Sequence, residues 1–284
     1  MKHQKQIDKI ILRAFKEDIG TDDITSKAVV PAGKKGKAKF IVKEEGIIAG
    51  LDVVERVFKL FDKNLKLKKF LDDGDKVKKG QIIAEVHGGI SSILSTERTA
   101  LNFLQRMCGI ATQANKFSEE VKHTKVKIVD TRKTVPGLRI LDKLAVSYGG
   151  CHNHRFGLYD MFLIKDNHIT AAGSITGAVK ACTKFMKKKK KKYKIEVETQ
   201  NIEQVREALN TKVDIIMLDN FELNKIKEAV DLIGGKKQIE ASGGITLASL
   251  KAIAEIGVDY ISVGALTHSV KALDISLKVD VSDA

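Results

Sequence analysis

The sequence has no tryptophan, only three cysteines and few aromatic residues. Aromatics make up 5% of the chain, and we find no aromatic RNA-binding motif or zinc knuckle. Cys108, Cys151 and Cys182 are odd in number and widely spaced, so we expect no disulfide framework and a reducing, cytoplasmic location. No apolar run reaches the roughly 20 residues of a membrane span. The amino-terminal segment shows no signal-peptide core, so we predict no membrane partner.

Charge, in contrast, is abundant, at 30% of residues with a formal net charge of +14. Combined with 43% hydrophobic residues, this composition is typical of a soluble globular protein. A length of 284 residues suffices for one large α/β barrel or two ordinary domains. The positive charge permits nucleic-acid binding, but it also steers small polyanions towards a site.

Much of the notable positive charge lies in residues 131–169, TRKTVPGLRILDKLAVSYGGCHNHRFGLYDMFLIKDNHI. Arginine binds a carboxylate or phosphate through two parallel hydrogen bonds, whereas lysine suits a single phosphate oxygen. The cations follow apolar runs, and histidine alternates with arginine in a Gly-bounded turn. We therefore predict a site for a small ligand that carries both carboxylates and phosphates, with a solvated basic face as the alternative. The basic residues are Arg132, Lys133, Arg139, Lys143, His152, His154, Arg155, Lys165 and His168.

From residue 127 onward, short apolar runs alternate with helical segments. The runs are KIVDT, MFLIK, KIEVET, DIIMLD, QIEAS and YISVG, and the last four end 21 to 23 residues apart. This spacing is typical of βα barrels, in which every strand opens onto one rim where active sites lie. We expect Arg132, Lys165, Glu198 and Asp219 to surround one pocket at that rim.

Two glycine-containing loops, ASGGIT at 241–246 and VGALTH at 263–268, each follow a late strand and precede a helix. Backbone N–H groups at such turns bind phosphate. Glu198 and Asp219 would repel an anionic ligand unless a cation intervenes. We predict Mg²⁺ bound with a diphosphate, or positive charge that develops on a sugar. The alternative for these acids is a pair of buried salt bridges to Lys165 and Lys133.

The first third of the chain predicts a different arrangement. A helix over 7–18 precedes short strands between 36 and 86 with a helix near 52–61, and a long helix over 95–121 is expected to be interrupted near Gly109. DDGDKVKKGQIIAEV is similar to a stretch of biotinyl domains, but it has no carrier lysine, so we predict a structural β-layer.

Two further stretches have a less specific interpretation. The lysine run 187–192 is interpreted as a solvated helix end or loop, with a polyanion tether as the alternative. Histidines and Cys151 in the CHNH stretch have the spacing of a metal site. No carboxylate cluster accompanies them in the sequence, so we expect no zinc there.

The motifs TRKTVPGLR, GGCHNHRFGLYDMFLIKDNH, KIEVE, DIIMLDN, ASGGI and ISVGALTHS together resemble the quinolinate phosphoribosyltransferase (decarboxylating) family over essentially the whole chain. The resemblance implies an N-terminal α/β sandwich-like domain over 1–107, to which residues 270–284 return, and an incomplete (open) α/β barrel over 108–284. It also implies transfer of a phosphoribosyl group from phosphoribosyl pyrophosphate to quinolinate with decarboxylation, in the presence of Mg²⁺. The implied assembly is a homodimer or a hexamer.

The resemblance also implies roles for individual residues. It implies quinolinate binding by Arg132, His154, Arg155 and Lys165, with Arg98 lent by a neighbouring subunit. It places Lys133, Asn167 and His168 beside phosphoribosyl pyrophosphate, and Lys133, Glu198 and Asp219 as catalytic residues, with the two acids at the ribose and the metal. It assigns the 5′-phosphate to Ser242, Gly243, Gly244 and Gly264. The rivals are a sister enzyme that acts on another anionic aromatic acid and a non-catalytic nucleic-acid binder.

Overall fold

The computed structural model describes residues 3–280, which form a mixed α/β structure of two compact units. The amino-terminal unit comprises residues up to Asn115, Thr134–Gly150 and residues from Leu266 onward. The barrel unit comprises Lys116–Lys133 and Cys151–Ala265. The predicted division between residues 107 and 108 falls inside a helix and stays a prediction.

The described strands are β1 (Lys35–Val42), β2 (Gly46–Ile47), β3 (Lys66–Lys69), β4 (Lys76–Val77), β5 (Ile82–Gly89), β6 (Lys127–Val129), β7 (Phe162–Ile164), β8 (Ile195–Thr199), β9 (Ile215–Asp219), β10 (Gln238–Ser242), β11 (Tyr260–Ser262) and β12 (Ile275–Asp280). The described helices are α1 (Gln4–Asp18), α2 (Ile24–Val29), α3 (Leu51–Phe61), α4 (Ile90–Glu120), α5 (Arg139–Tyr148), α6 (Asp166–Ala172), α7 (Ile175–Lys189), α8 (Ile202–Leu209), α9 (Leu223–Ile233), α10 (Leu247–Ile256) and α11 (Ala265–His268).

The amino-terminal unit is built on a four-stranded antiparallel sheet in the order β12-β1-β5-β3. Strand β1 alternates buried and less buried residues because successive side chains point to opposite faces. Its Phe40 packs near Phe58 of the amphipathic helix α3, with 6.1 Å between the ring centroids. Strand β12 pairs with β1, so that Leu277 lies opposite Phe40. Residues 281–284 of the predicted return lie outside the described residues.

Helix α4 runs without a break from Ile90 to Glu120. The predicted interruption near Gly109 is therefore wrong. Gly109 allows the backbones of α4 and Lys271 to approach closely. A Cβ added at Gly109 would lie 2.1 Å from the carbonyl oxygen of Lys271. Glycine is used where two backbones meet this closely, and a helix tolerates it at a cost of about 1 kcal/mol relative to alanine.

The barrel unit contains six strands in the order β6-β11-β10-β9-β8-β7, and every pair in it is parallel. These strands are the six predicted from the sequence. The order ends at β6 and β7, so the sheet is an incomplete barrel, as expected. Beyond β6 the neighbour is an isolated parallel bridge between Val129 and His152. Outer-face residues such as Val197 and Ile216 are apolar and buried, which leaves the acidic side chains of β8, β9 and β10 on the inner face.

The lysine run lies at the end of α7, where Lys187–Lys189 form the last helical turn. All of the residues 187–192 are exposed, so the prediction of a solvated helix end is confirmed. Lysines at the carboxyl end of a helix also interact favourably with the negative end of the helix dipole. Within residues 3–280, no helix is long and apolar enough to cross a membrane.

Candidate active site at the carboxyl ends of the barrel strands

The predicted strand-end residues occupy one end of the barrel sheet. Glu198 pairs in register with Met217, and Asp219 pairs with Ser242. Registered neighbours in a parallel sheet point to the same face. Glu198, Asp219 and Ser242 therefore project from the inner face of three adjacent strands at their carboxyl ends, where βα barrels bind ligands.

Lys165, directly after β7, contacts Glu198 with 2.6 Å between Nζ and Oε2. The Glu198 side chain is buried, whereas that of Lys165 is 47% exposed. Of the two buried salt bridges considered as an alternative, the one to Lys165 is therefore present, with its lysine half exposed. An ammonium has three donors, so Lys165 can neutralise the buried acid and still face an anionic ligand.

Arg132 follows β6, and its charge acts on the half-buried guanidinium of Arg155. Burial lowers the pKa of Arg155, and the nearby charge of Arg132 lowers it further. The Arg155 guanidinium donates one hydrogen bond through Nη1 to the carbonyl of Met161, at 3.1 Å. Two guanidinium groups that repel each other are stabilised when an anion binds between them.

His154 enters the barrel interior and meets two glutamates that the sequence reasoning did not single out. Its Nε2 lies 3.0 Å from Oε2 of Glu196 on β8 and 3.5 Å from Oε2 of Glu240 on β10. The expectation that no carboxylate cluster accompanies the CHNH stretch is therefore wrong. The error arose because these acids come from strands distant in sequence. A signal was available: glutamates at alternate positions in buried strands, as in IEVE, indicate a polar inner face.

The surroundings shift the pKa of Glu196 among these three side chains, called the His154–Glu196–Glu240 cluster below. Burial and the charge of Glu240 raise the pKa of Glu196 to about 7. Among residues 3–280, this is also the one group of three or more acidic, histidine or cysteine side chains with metal-ligand spacing.

The backbone around His154 is held from several sides. Asp130, which is fully buried, accepts the N–H of His154 through Oδ1 at 2.8 Å. His152 donates its N–H to Ile128 and accepts the N–H of Asp130. These contacts make residues 152–154 follow the free edge of β6.

Lys165, Asn167 and His168 lie at the start of helix α6. The Nδ1 atom of His168 accepts the N–H of Lys165 at 3.0 Å, which places a neutral ring's proton on Nε2. Asn167 and His168 are exposed, so their side chains can reach a ligand. Lys133 is also exposed; its N–H donates to the side chain of Thr131 at 3.1 Å in the turn after β6.

The loop after β10 has the conformation expected of a glycine turn. Gly243 and Gly244 have φ values of 94° and 59°, which side chains rarely adopt. A Cβ at Gly243 would also lie 2.2 Å from Oδ1 of Asn220, whose Nδ2 donates to Asp219. Asn220 therefore ties the end of β9 to this loop, a role that sequence reasoning missed. Gly264 lies between β11 and α11.

Arg98 lies on α4 and is exposed. It belongs to the amino-terminal unit, whereas the strand-end residues belong to the barrel unit.

Glu198 and Asp219 suit a metal that is bound together with a substrate. They supply carboxylate oxygens from adjacent strand ends, and Mg²⁺ is commonly held by one or two carboxylates plus substrate phosphates. The Lys165 ammonium on Glu198 leaves Asp219, which is half-buried, as the more accessible oxygen donor.

Comparison with known proteins identifies relatives along the chain. The model described as the quinolinate phosphoribosyl transferase C-terminal domain matches residues 110–278, and its N-terminal counterpart matches residues 23–108. A probable nicotinate-nucleotide pyrophosphorylase (carboxylating) of Bacillus subtilis is 45% identical over 98% of this chain and 95% of its own length. Quinolinate phosphoribosyltransferase (decarboxylating) 2b, mitochondrial, of Nicotiana tabacum is 45% identical over 96% of this chain and 82% of its own length. The solved structure of the nicotinate-nucleotide pyrophosphorylase from Francisella tularensis aligns with a TM-score of 0.92 at 41% identity, over 97% of this chain and 96% of that one.

Proposed function

The chain belongs to the quinolinate phosphoribosyltransferase family, and from that premise we propose how its barrel rim carries out the family's reaction. The enzyme transfers the phosphoribosyl group of phosphoribosyl pyrophosphate to quinolinate with decarboxylation. The products are nicotinate mononucleotide, pyrophosphate and carbon dioxide, in the de novo synthesis of NAD.

Quinolinate binds, in this proposal, between Arg132, Arg155 and Lys165. The observation that carries it is the Lys165–Glu198 ion pair at the rim, together with the charge of Arg132 acting on the half-buried Arg155. Quinolinate has two adjacent ring carboxylates, and each can accept two parallel hydrogen bonds from a guanidinium. Lys165 completes the site while it neutralises Glu198. A direct hydrogen bond from His154 to quinolinate stays a prediction.

Phosphoribosyl pyrophosphate occupies the adjoining part of the rim. Its 5′-phosphate lies on the N–H groups of the loop formed by Ser242, Gly243 and Gly244, together with Gly264. Lys133, Asn167 and His168 contact its ribose and pyrophosphate side. Exposure of these three side chains supports the assignment.

Glu198 and Asp219 would hold Mg²⁺ through their carboxylate oxygens, directly or through water, together with oxygens of the diphosphate. When bound, the ion neutralises charge on the departing pyrophosphate.

The protein groups act on the reaction mainly by positioning and charge. When the bond from ribose C1 to pyrophosphate breaks, positive charge develops on the ribose ring, and the carboxylates of Glu198 and Asp219 stabilise it. The pyridine nitrogen then forms a bond to C1 and becomes positively charged. The bond from ring C2 to its carboxylate breaks next, and carbon dioxide leaves. Its electron pair stays on C2, stabilised by the adjacent charged nitrogen, and takes up a proton.

The active assembly is a homodimer in this proposal, alone or within a hexamer, in which Arg98 of one subunit binds quinolinate in the other. Support comes from the resemblance of the ERTALNFLQRMCGIAT stretch to the family, and from the exposure of Arg98.

A cytoplasmic location and the lack of a nucleic-acid partner stay predictions. Cys108, Cys151 and Cys182 form no disulfide within residues 3–280, which suits a reducing compartment. We expect the charge of +14 to steer polyanionic substrates, and a gel shift that persists at physiological salt would contradict this.

The substrate assignment is tested by supplying Mg²⁺ and phosphoribosyl pyrophosphate with either quinolinate or nicotinate. Quinolinate should be consumed and nicotinate should not, because one missing carboxylate leaves a cation of the site unpaired. Comparable turnover of nicotinate would overturn the proposed quinolinate site.

A further inference from the structure

The His154–Glu196–Glu240 cluster lies one layer below the rim, in the barrel unit. Glu196 and Glu240 each precede a rim residue by two positions on the same strand face, namely Glu198 and Ser242. The Glu196 side chain is fully buried, and that of Glu240 is 2% exposed. The cost of burying such acids is high unless they hold a partner.

The donor set of the cluster would suit a divalent metal, but the ring of His154 argues against one. A metal would bind the lone pair of Nε2, the nitrogen that faces the two carboxylates. The other nitrogen, Nδ1, accepts the N–H of Arg155 at 2.8 Å. Nδ1 is therefore unprotonated, and the neutral ring carries its proton on Nε2. The contact with Glu196 is then a hydrogen bond from Nε2–H to a carboxylate.

The two carboxylates have the same pattern of hydrogen-bonding contacts. One oxygen of each, Oε1 of Glu196 and Oε1 of Glu240, is buried and has no hydrogen-bond partner among residues 3–280. The His154 ring is therefore the partner that both carboxylates share, through their Oε2 atoms.

The hydrogen bonds form a chain in which each donor lies nearer the rim than its acceptor. Glu196 accepts from Nε2 of His154, and Nδ1 of His154 accepts from the backbone of Arg155. Asp130 holds the backbone of His154 independently. The imidazole thus holds the backbone nitrogen of Arg155, the residue proposed to bind quinolinate.

We propose that Glu196 and Glu240 are positioning residues for quinolinate binding, which orient the His154 ring so that it holds the backbone of Arg155 in place. The inference rests on the proposed role of Arg155 in binding quinolinate. A displacement of a binding group by about 1 Å can cost about 100-fold in rate. Loss of the cluster should therefore act on the substrate that Arg155 contacts, and far less on the ribosyl donor.

The test compares Glu196→Leu with Glu196→Gln. Leucine removes the acceptor for Nε2–H, and we expect the KM for quinolinate to rise about 10- to 100-fold. The KM for phosphoribosyl pyrophosphate and kcat should change less than about threefold. Glutamine keeps a carbonyl acceptor for His154 and can donate to Glu240, so it should restore the quinolinate KM to within about threefold of wild type.

A matched control removes a carboxylate charge at the other end of the same barrel. Asp259 accepts the N–H of Ile239 at the start of β10, and Asp259→Asn should leave both KM values unchanged. An unchanged quinolinate KM in folded Glu196→Leu would overturn the inference. So would a Glu196→Gln variant as impaired as Glu196→Leu, because it would show that charge or a bound metal is needed.

Nitrogen NMR of the ¹⁵N-histidine-labelled protein decides the matter even where Glu196→Leu fails to fold. We expect His154 to show an unprotonated Nδ1 and a protonated Nε2, and the opposite tautomer or a metal-bound nitrogen would overturn the proposal. Arg155→Lys separates this inference from the site itself. If Arg155→Lys leaves the quinolinate KM unchanged, the proposed quinolinate site fails. If Arg155→Lys raises it and folded Glu196→Leu does not, only the positioning role fails.

Discussion

Replacing Arg155 by lysine preserves charge but should weaken quinolinate binding. The guanidinium has five N–H donors and uses Nη1 for the carbonyl of Met161. The remaining donors can form two parallel hydrogen bonds with a carboxylate. A lysine ammonium offers its donors from a single point, so it can replace one of these two bonds.

The size of the effect follows from that lost bond. A hydrogen bond to a charged group contributes about 1.5–3 kcal/mol. Arg155 is half-buried, so the lower half of this range applies, about 2 kcal/mol. This corresponds to about a 30-fold loss in kcat/KM. The loss should appear mainly in the KM for quinolinate, because the bond is made in the ground state as well as in the transition state.

The assay is the initial rate of nicotinate mononucleotide formation against quinolinate concentration at saturating phosphoribosyl pyrophosphate. Arg206→Lys is the matched control, because Arg206 is an exposed arginine in the last turn of α8. Thermal unfolding of both variants would show that they fold. A change below about threefold in kcat/KM for Arg155→Lys would show that this arginine does not bind the substrate carboxylate.

Three other outcomes are expected. Gly109→Ala should lower the Tm by roughly 4–8 °C, because overpacking against Lys271 costs about 3 kcal/mol and the gain in helix propensity is only about 1 kcal/mol. An unchanged Tm in calorimetry would contradict the close approach of the two backbones. Replacing the lysines of 187–192 by serine and glutamine should leave kcat nearly unchanged at physiological salt, with at most a slower association at low salt, and a collapse of kcat would show a direct role. Arg98→Ala and Lys165→Ala should each be nearly inactive, yet equal mixtures after subunit exchange should recover about a quarter of wild-type activity per site. Verified exchange without recovery would refute sharing of Arg98 between subunits.

Much of the architecture was predictable because it depends on local patterns. Apolar runs that alternate with helical segments predicted the six parallel strands. A residue at a strand's end must lie at the rim whichever strand is its neighbour, so Lys165, Glu198 and Asp219 could be placed from spacing alone. The glycine turn after β10 was likewise predictable, because the positive φ angles at Gly243 and Gly244 suit glycine far better than other residues.

Other features were decided by tertiary structure, because they depend on which distant segments meet. His154 and Glu196 are 42 residues apart in sequence, and they pair only because residues 152–154 follow the edge of β6 and the inner faces of β8 and β10 point into one barrel. The role of Gly109 was likewise decided by tertiary structure, because the conformational preference of glycine alone predicts a helix break there. The carbonyl of Lys271, a residue near the other end of the chain, reaches that point of α4. Packing against Lys271 outweighs the low helix propensity of glycine at this position. The sequence around Gly109 gives no sign of that packing, because Lys271 is distant in the chain.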